Sequence, residues 1–227
     1  MKRRLLMLCL LMVLPACSSN NAGSDSTYKP YGHYEDDKMI GFVWEVDDKE
    51  SWVIVDISEW EKRKQGPNIN SDGYSYQAFV SEDTIIKYEN GDEANLHNLK
   101  KSQKVLVNPP NRNETYSGEA TEIILLNMTY EEKFKRVLSH LEDKLNIVII
   151  AEEGKPSTIE LEDIISKINQ ETVGAYIPYD ENYVVDYKEE FGIVKLPVIL
   201  VTDHEKLLYK AYDVESVINF LNELESE

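Results

Sequence analysis

The chain has 227 residues, of which 42% are hydrophobic, and its 42 acidic and 24 basic side chains give a formal charge of −18. This hydrophobic content is enough for packed cores, so we do not expect a disordered acidic chain. The negative charge repels nucleic acid phosphates and anionic lipid headgroups, and we expect neither as a partner. It favours cations or basic protein faces, although a simple solvated surface explains the same charge.

Residues 1–16 have the pattern of a secretory signal peptide. A basic triplet, residues 2–4, precedes an apolar run from Leu5 to Leu14 that is shorter than the roughly 20 residues of a membrane span. The run ends at Leu14-Pro15-Ala16-Cys17, which resembles the lipobox of bacterial lipoproteins. The resemblance implies lipidation of Cys17, with a fatty acid such as palmitate, and localisation at the extracytoplasmic face of the cell membrane. A plain signal peptide with a chance cysteine is the alternative.

The cysteine content limits the redox chemistry of the protein. Cys9 leaves with the signal peptide, and Cys17 would carry the lipid as a thioether. The remaining chain would have neither a free thiol nor a disulfide, and without residues 2–4 its formal charge is −21. Residues 17–38, which are rich in Ser, Asn, Asp and Gly, are expected to form a flexible tether after the lipidated cysteine.

Residues 39–128 contain short segments rich in β-branched and aromatic residues, separated by turn residues such as Asn90-Gly91. Five or six short strands predict a small all-β barrel or sandwich, and residues 59–67 are expected to be a polar insertion between strands. The segments "GFVWEV", "SWVIVD", "DTII", "LKKSQKVLV" and "GEATEIILL" are similar to the OB-like domain of unknown function in YobA-type secreted chains and lipoproteins. OB folds often bind oligonucleotides, but the charge argues against that ligand.

Residues 129–227 change to alternating strands and helices. Thr129 and Glu132 form a capping-box pattern before an amphipathic helix that extends to Leu141. The predicted order continues with a strand (147–151), a helix (158–169), a strand (173–179), a helix (183–190), two strands (197–203 and 206–212) and a helix (214–224). Asp213 is the expected N-cap of the last helix. This order predicts an α/β domain with a mixed sheet covered on both faces, and therefore an α+β chain overall.

The segment Ala151-Glu152-Glu153-Gly154-Lys155-Pro156-Ser157 resembles the active-site run of thioredoxins, which has the sequence A-E-W-C-G-P-C between a strand and a helix. Gly154 and Ser157 stand at the two cysteine positions, and Val148 stands at the position of the buried aspartate. Residues 180–197 resemble the D-x-N…Y-G-I-x-x-x-P run of the same family, which ends at a cis-proline facing the turn, here Pro197. The resemblance implies a thioredoxin-like fold for residues 129–227.

The dithiol chemistry of thioredoxins does not carry over, because it needs an attacking thiolate and a resolving thiol. Ser157 would need a neighbouring base to act as a nucleophile, and the pattern from Ser157 to Glu160 predicts a second capping box instead. We therefore expect a helix start at the turn, no enzyme and no cofactor. In this family, the backbone before the cis-proline pairs with an extended peptide. The resemblance thus implies a peptide- or protein-binding groove formed by Glu152, Glu153, Gly154, Lys155, Pro156, Ser157, Leu196 and Pro197.

Other patterns give weaker hypotheses, and no metal site is expected. The four histidines have none of the close ligand spacings of a zinc site: His33, His97, His140 and His204. Residues 34–37 and 180–182 offer carboxylates to calcium but lack the glycine and closing glutamate of an EF-hand loop. Tyr74, Tyr76 and the tyrosines of the tether could stack on sugar rings. The favoured interpretation is a redox-inactive binding or scaffolding lipoprotein. The alternatives are a cell-wall-associated structural lipoprotein that binds glycan or calcium, and an enzyme that uses Ser157.

Overall fold

The structure is a computed structural model, and it describes residues 37–65, 72–111 and 115–226. The predicted signal peptide, Cys17 and almost all of the predicted tether lie outside the described residues. Two mixed β-sheets and a few short helices make the described chain α+β, which confirms the predicted overall class. No helix in these three ranges is long and apolar enough to cross a membrane.

The first sheet has seven strands, and one helix lies between its second and third strands. The elements are β1 (Met39–Asp47), β2 (Trp52–Asp56), α1 (Ser58–Gln65), β3 (Ser75–Phe79), β4 (Ile85–Tyr88), β5 (Lys104–Asn108), β6 (Ser117–Glu119) and β7 (Glu122–Leu125). A 3₁₀ turn, Leu96–Asn98, precedes β5. The strand order is β4-β7-β5-β1-β2-β3-β6, in which the outermost pairs, β4–β7 and β3–β6, are parallel and the others antiparallel.

Alternation along the strands places one face of this sheet on the first core. In β2, Val53 and Val55 are fully buried there, whereas Trp52 and Ile54 point to the opposite face and are half-buried. The predicted short strands are therefore present. The described part of the chain forms no closed barrel, because β4 and β6 stand at opposite edges of an open strand order, and the expected OB-like barrel is not confirmed.

Helix α1 corrects the expectation that this half is all β. The expected polar insertion, residues 59–67, does lie between β2 and β3, and its described part, residues 59–65, is helical. Trp60 is buried in the first core, and the Glu61 N–H donates to the Ile57 carbonyl at 2.9 Å. Glu59 and Glu61 lie in the first turn, where acidic side chains stabilise a helix. A single apolar residue among polar neighbours gives no helical periodicity, so the sequence pattern did not indicate this helix.

The second sheet has four strands. The elements are α2 (Tyr130–Phe134), β8 (Leu145–Glu152), α3 (Leu161–Ile165), β9 (Thr172–Tyr179), α4 (Tyr187–Glu190), β10 (Val198–Thr202), β11 (Leu207–Ala211) and α5 (Val214–Glu225). The strand order is β11-β10-β8-β9, in which β8 and β9 are parallel and β10 is antiparallel to both of its neighbours.

Successive side chains of β8 are buried on opposite faces of this sheet. Val148 and Ile150 pack into one core with Phe134, whereas Ile147 and Ile149 pack into another with residues of α3 and α5. The expected mixed sheet with both faces covered is thus present. A strand that is covered on both faces reads as a continuous apolar run, which explains why the sequence located β8.

The helix caps show where local sequence signals were sufficient. Thr129 Oγ1 accepts from the Glu132 N–H at 3.2 Å and the Thr129 N–H donates to Glu132 Oε2 at 3.0 Å, which confirms the first capping box. Asp213 caps α5 through the Ser216 N–H at 2.8 Å, also as predicted. The helix after Thr129 ends at Phe134, well before Leu141, because the chain continues in turns.

The two sheets are joined through segments near Lys101 and Lys104. The Lys101 N–H donates to the Asn182 carbonyl at 2.8 Å, and the Val184 N–H donates to the Lys101 carbonyl at 2.8 Å. Lys101 also pairs with Asp180 at 3.6 Å. The acidic loop of residues 180–182, whose carboxylates are candidate calcium ligands, therefore contacts the first half of the chain.

Candidate functional site

The predicted groove segments lie at one edge of the second sheet. Because β8 and β9 are parallel, both end at this edge, where Glu152 is paired with Tyr179. Strand β10 runs in the opposite direction and begins at this edge, with Val198 opposite Ile150. Pro197, which immediately precedes β10, is therefore at the same edge as the turn that follows β8. The structure brings the two predicted segments together.

The turn after β8 is tight and mostly exposed. The Lys155 N–H donates to the Glu152 carbonyl at 3.2 Å, and Gly154 has φ of +72°, a conformation that glycine adopts without steric cost. The Lys155 ammonium binds the Glu152 carboxylate, and this hydrogen bond holds the pKa of Glu152 below its usual value. Glu153 and Pro156 are exposed. Of the two acidic residues at the turn, Glu152 is thus already neutralised by a neighbour.

Ser157 does not cap a helix, which corrects the second predicted capping box. Its hydroxyl donates to the Ile159 carbonyl at 2.8 Å and accepts from the Ile159 N–H at 3.1 Å. Helix α3 begins only at Leu161, and its N-cap residue, Glu160, makes no side-chain cap bond. The Tyr176 hydroxyl, from the adjacent strand β9, accepts from the Leu161 N–H at 2.7 Å instead. The serine hydroxyl is satisfied by a local turn, which competes with capping.

Leu196 and Pro197 present a main-chain segment at this edge. Their peptide bond is cis, as the resemblance implies, and the Leu196 side chain is half-buried against the core that contains Val148. Neither the backbone N–H nor the carbonyl of Leu196 has a hydrogen-bond partner among the described residues. Two residues earlier, Val194 is 85% exposed, and its N–H donates to the Tyr212 hydroxyl at 3.1 Å.

The sequence interpretation missed Tyr179, Asp186 and Lys188 at this edge. The Tyr179 hydroxyl donates to Asp186 at 3.0 Å, and the Lys188 ammonium lies 3.9 Å from the centroid of the Tyr179 ring. Burial, followed by the bond to Asp186, raises the pKa of Tyr179. Parallel strands end at the same edge of a sheet, so the position of Tyr179 at the end of β9 could have indicated that it lies near the turn after β8. The edge carries charges of both signs, because Lys155 and Lys188 lie beside the acidic side chains.

The structure also places the remaining candidates. Val148, which the thioredoxin resemblance aligns with the buried aspartate, is fully buried among apolar side chains. Tyr76 is buried and burial raises its pKa, so stacking of this ring on a sugar is wrong, and Tyr74 packs against the first core. His97 pairs with Asp48 at 3.1 Å. No three His, Cys, Asp or Glu side chains in the described ranges are grouped as metal ligands.

No protein-family model matches this chain, and a comparison with curated proteins finds no match. The edge formed by the β8 turn, the end of β9 and residues 194–197 combines a main-chain segment at Leu196 with no hydrogen-bond partner among the described residues, an exposed valine, and charged side chains that are largely paired with one another.

Proposed function

We propose that this protein is a lipoprotein, anchored through Cys17 at the extracytoplasmic face of the cell membrane, that binds or scaffolds other proteins without redox chemistry. The anchor rests on the sequence of residues 1–17. The absence of redox chemistry rests on the two cysteines of the chain, Cys9 and Cys17, which both belong to that segment. The protein partner would be held at the edge of the second sheet.

We also propose a thioredoxin-like fold for residues 129–227 and an OB-like fold for residues 39–128. A thioredoxin-like fold for residues 129–227 is supported by the order of their strands and helices and by the cis bond before Pro197. Six residues separate Gly154 from the start of α3 at Leu161, and this separation argues against a close likeness to the thioredoxin active-site turn. An OB-like fold for residues 39–128 is supported by short strands around a single core, although their sheet stays open.

The observation that carries the proposal is the unpaired backbone of Leu196. A backbone N–H and carbonyl that are not used inside the fold can donate hydrogen bonds to, and accept them from, a partner that covers them. An extended peptide can supply a carbonyl and an N–H together, as a strand does when it adds to a sheet. Val194 provides exposed apolar surface beside this segment, and Glu153 has no ion-pair partner among the described residues. A peptide with an apolar and a basic side chain would complement the edge.

Site-specific photo-crosslinking in intact cells tests this function. A photoreactive amino acid at Val194 should capture a discrete partner, and the captured segment can be identified by mass spectrometry. The matched control is the same amino acid at Ile165, an exposed apolar residue at the far end of α3, near Gly174 at the start of β9. Equal capture at both positions, or none at Val194, would contradict a docking edge.

A further inference from the structure

The outward face of the first sheet carries aromatic side chains that belong to none of the cores formed by the described residues. The strand register places Trp52 beside Phe79, and Ile54 beside Gln77, in adjacent rows on this face. Phe79 is 41% exposed and Trp44, in β1, is 63% exposed. Neighbouring residues in such rows have Cβ atoms about 4.5–5.5 Å apart, so the side chains form one continuous surface.

A β-bulge in β1 brings Trp44 and Glu45 to the outward face together. The pairing of β1 with β2 shifts between Val43, opposite Val55, and Glu45, opposite Ile54, so Trp44 is the extra residue. A bulge redirects a side chain and occurs frequently beside functional sites. Val43 remains in the core, while Trp44 turns towards solvent.

The same face is negatively charged. Strands β1, β2, β3 and β6 contain no lysine or arginine. The register places Glu45, Asp47 and Asp56 on the outward face, together with Glu119, which is opposite Phe79. Glu45 and Glu119 have no ion-pair partner among the described residues. The basic residue that β5 contributes to this face, Lys104, is buried and pairs with Glu132 at 2.6 Å.

We propose that this outward face of β1, β2, β3 and β6 binds an arginine-rich, positively charged segment of a partner protein. A guanidinium group stacks on the face of an aromatic ring and pairs with carboxylates at the same time, which matches tryptophan and phenylalanine bordered by glutamates. The charge of the face repels anionic polymers, including nucleic acids. This second surface is separate from the docking edge of the second sheet.

The test titrates a labelled nona-arginine peptide into the full chain in non-ionic detergent, with fluorescence anisotropy as the readout. Trp44→Leu should weaken binding about two- to fivefold, because cation–π contacts at exposed sites contribute that much. Glu45→Gln/Glu119→Gln should weaken it by about fivefold at physiological salt. The control, Glu215→Gln/Glu225→Gln on the exposed side of α5, has the same charge change and should alter affinity less than about 1.5-fold.

Three outcomes would overturn the proposal. Equal losses in the two glutamate variants would attribute binding to net charge alone, and an uncharged Gly/Ser peptide that binds equally well would remove the role of arginine. A neutral oligosaccharide that quenches tryptophan fluorescence, where nona-arginine does not, would assign the face to glycan. The substituted side chains are exposed, so unchanged thermal unfolding of each variant verifies that the fold is intact.

Discussion

Replacing Glu132 by glutamine tests the contact that joins the two sheets. Lys104 Nζ lies 2.6 Å from Glu132 Oε1, while Glu132 Oε2 accepts from the Thr129 N–H at 3.0 Å. Glutamine preserves the capping box, because its carbonyl oxygen can accept from Thr129. The substitution therefore removes the negative charge beside Lys104 and leaves the helix cap in place.

The expected loss follows from the burial of the two side chains. Removing one partner of a buried ion pair costs about 3–5 kcal/mol, whereas an exposed pair contributes about 0–1 kcal/mol. The Lys104 side chain is 7% exposed and that of Glu132 is 22% exposed. We therefore expect Glu132→Gln to lower the free energy of unfolding by about 2–3 kcal/mol. Glu131→Gln, an exposed neighbour in the same turn, should change it by less than about 0.5 kcal/mol.

Urea denaturation measures these differences. All three tryptophans, at positions 44, 52 and 60, lie in the first half, so their fluorescence follows the first sheet while far-ultraviolet circular dichroism follows both. A loss below about 1 kcal/mol for Glu132→Gln, or equal losses for the two variants, would refute the reasoning that Glu132 compensates a buried ammonium.

Three further predictions concern separate parts of the chain. Glu122→Gln should destabilise the protein above about pH 5 and have little effect in acid, because hydrogen bonding to Lys87 lowers the pKa of Glu122 in the folded protein. The ionised Glu122 therefore stabilises the fold above its ordinary pKa of 4.5, and this stabilisation is lost as the pH falls through the lower pKa of the folded state. Stability–pH curves of the variant and the wild type that run parallel would contradict this. Tyr176→Phe should lower the free energy of unfolding by about 1 kcal/mol, because the Leu161 N–H loses its partner, and an unchanged urea midpoint would contradict the cap. Cys17→Ala should abolish fatty-acid labelling and release or mislocalise the protein; labelling equal to that of the wild type would end the lipoprotein proposal.

The sequence predicted the elements and caps that depend on residues close together in the chain. The apolar run of β8 and the alternating residues of β2 follow from burial, and Thr129 and Asp213 cap helices through residues three positions away. Once the strands are assigned, the order of elements also predicts that the β8 turn and Pro197 lie at the same edge of the sheet.

The features that the sequence did not predict depend on residues distant in the chain. Helix α1 is held by the burial of Trp60 in a core built from several strands. Helix α3 begins late because Tyr176 caps it from another strand while Ser157 bonds locally. The β-branched and aromatic residues around Trp44 predict a strand, but the outward position of Glu45 beside it depends on a bulge, which needs the register of the partner strand.

Amide hydrogen exchange at Leu196, measured by NMR with and without the partner captured through Val194, tests the central claim most directly. In the free protein, the Leu196 N–H has no partner among the described residues and should exchange rapidly, while the paired amides of β8 and β10 are protected. If a partner pairs with the main chain at this edge, we expect it to protect the Leu196 amide from exchange. A complex in which Leu196 keeps its free exchange rate would contradict a main-chain docking edge.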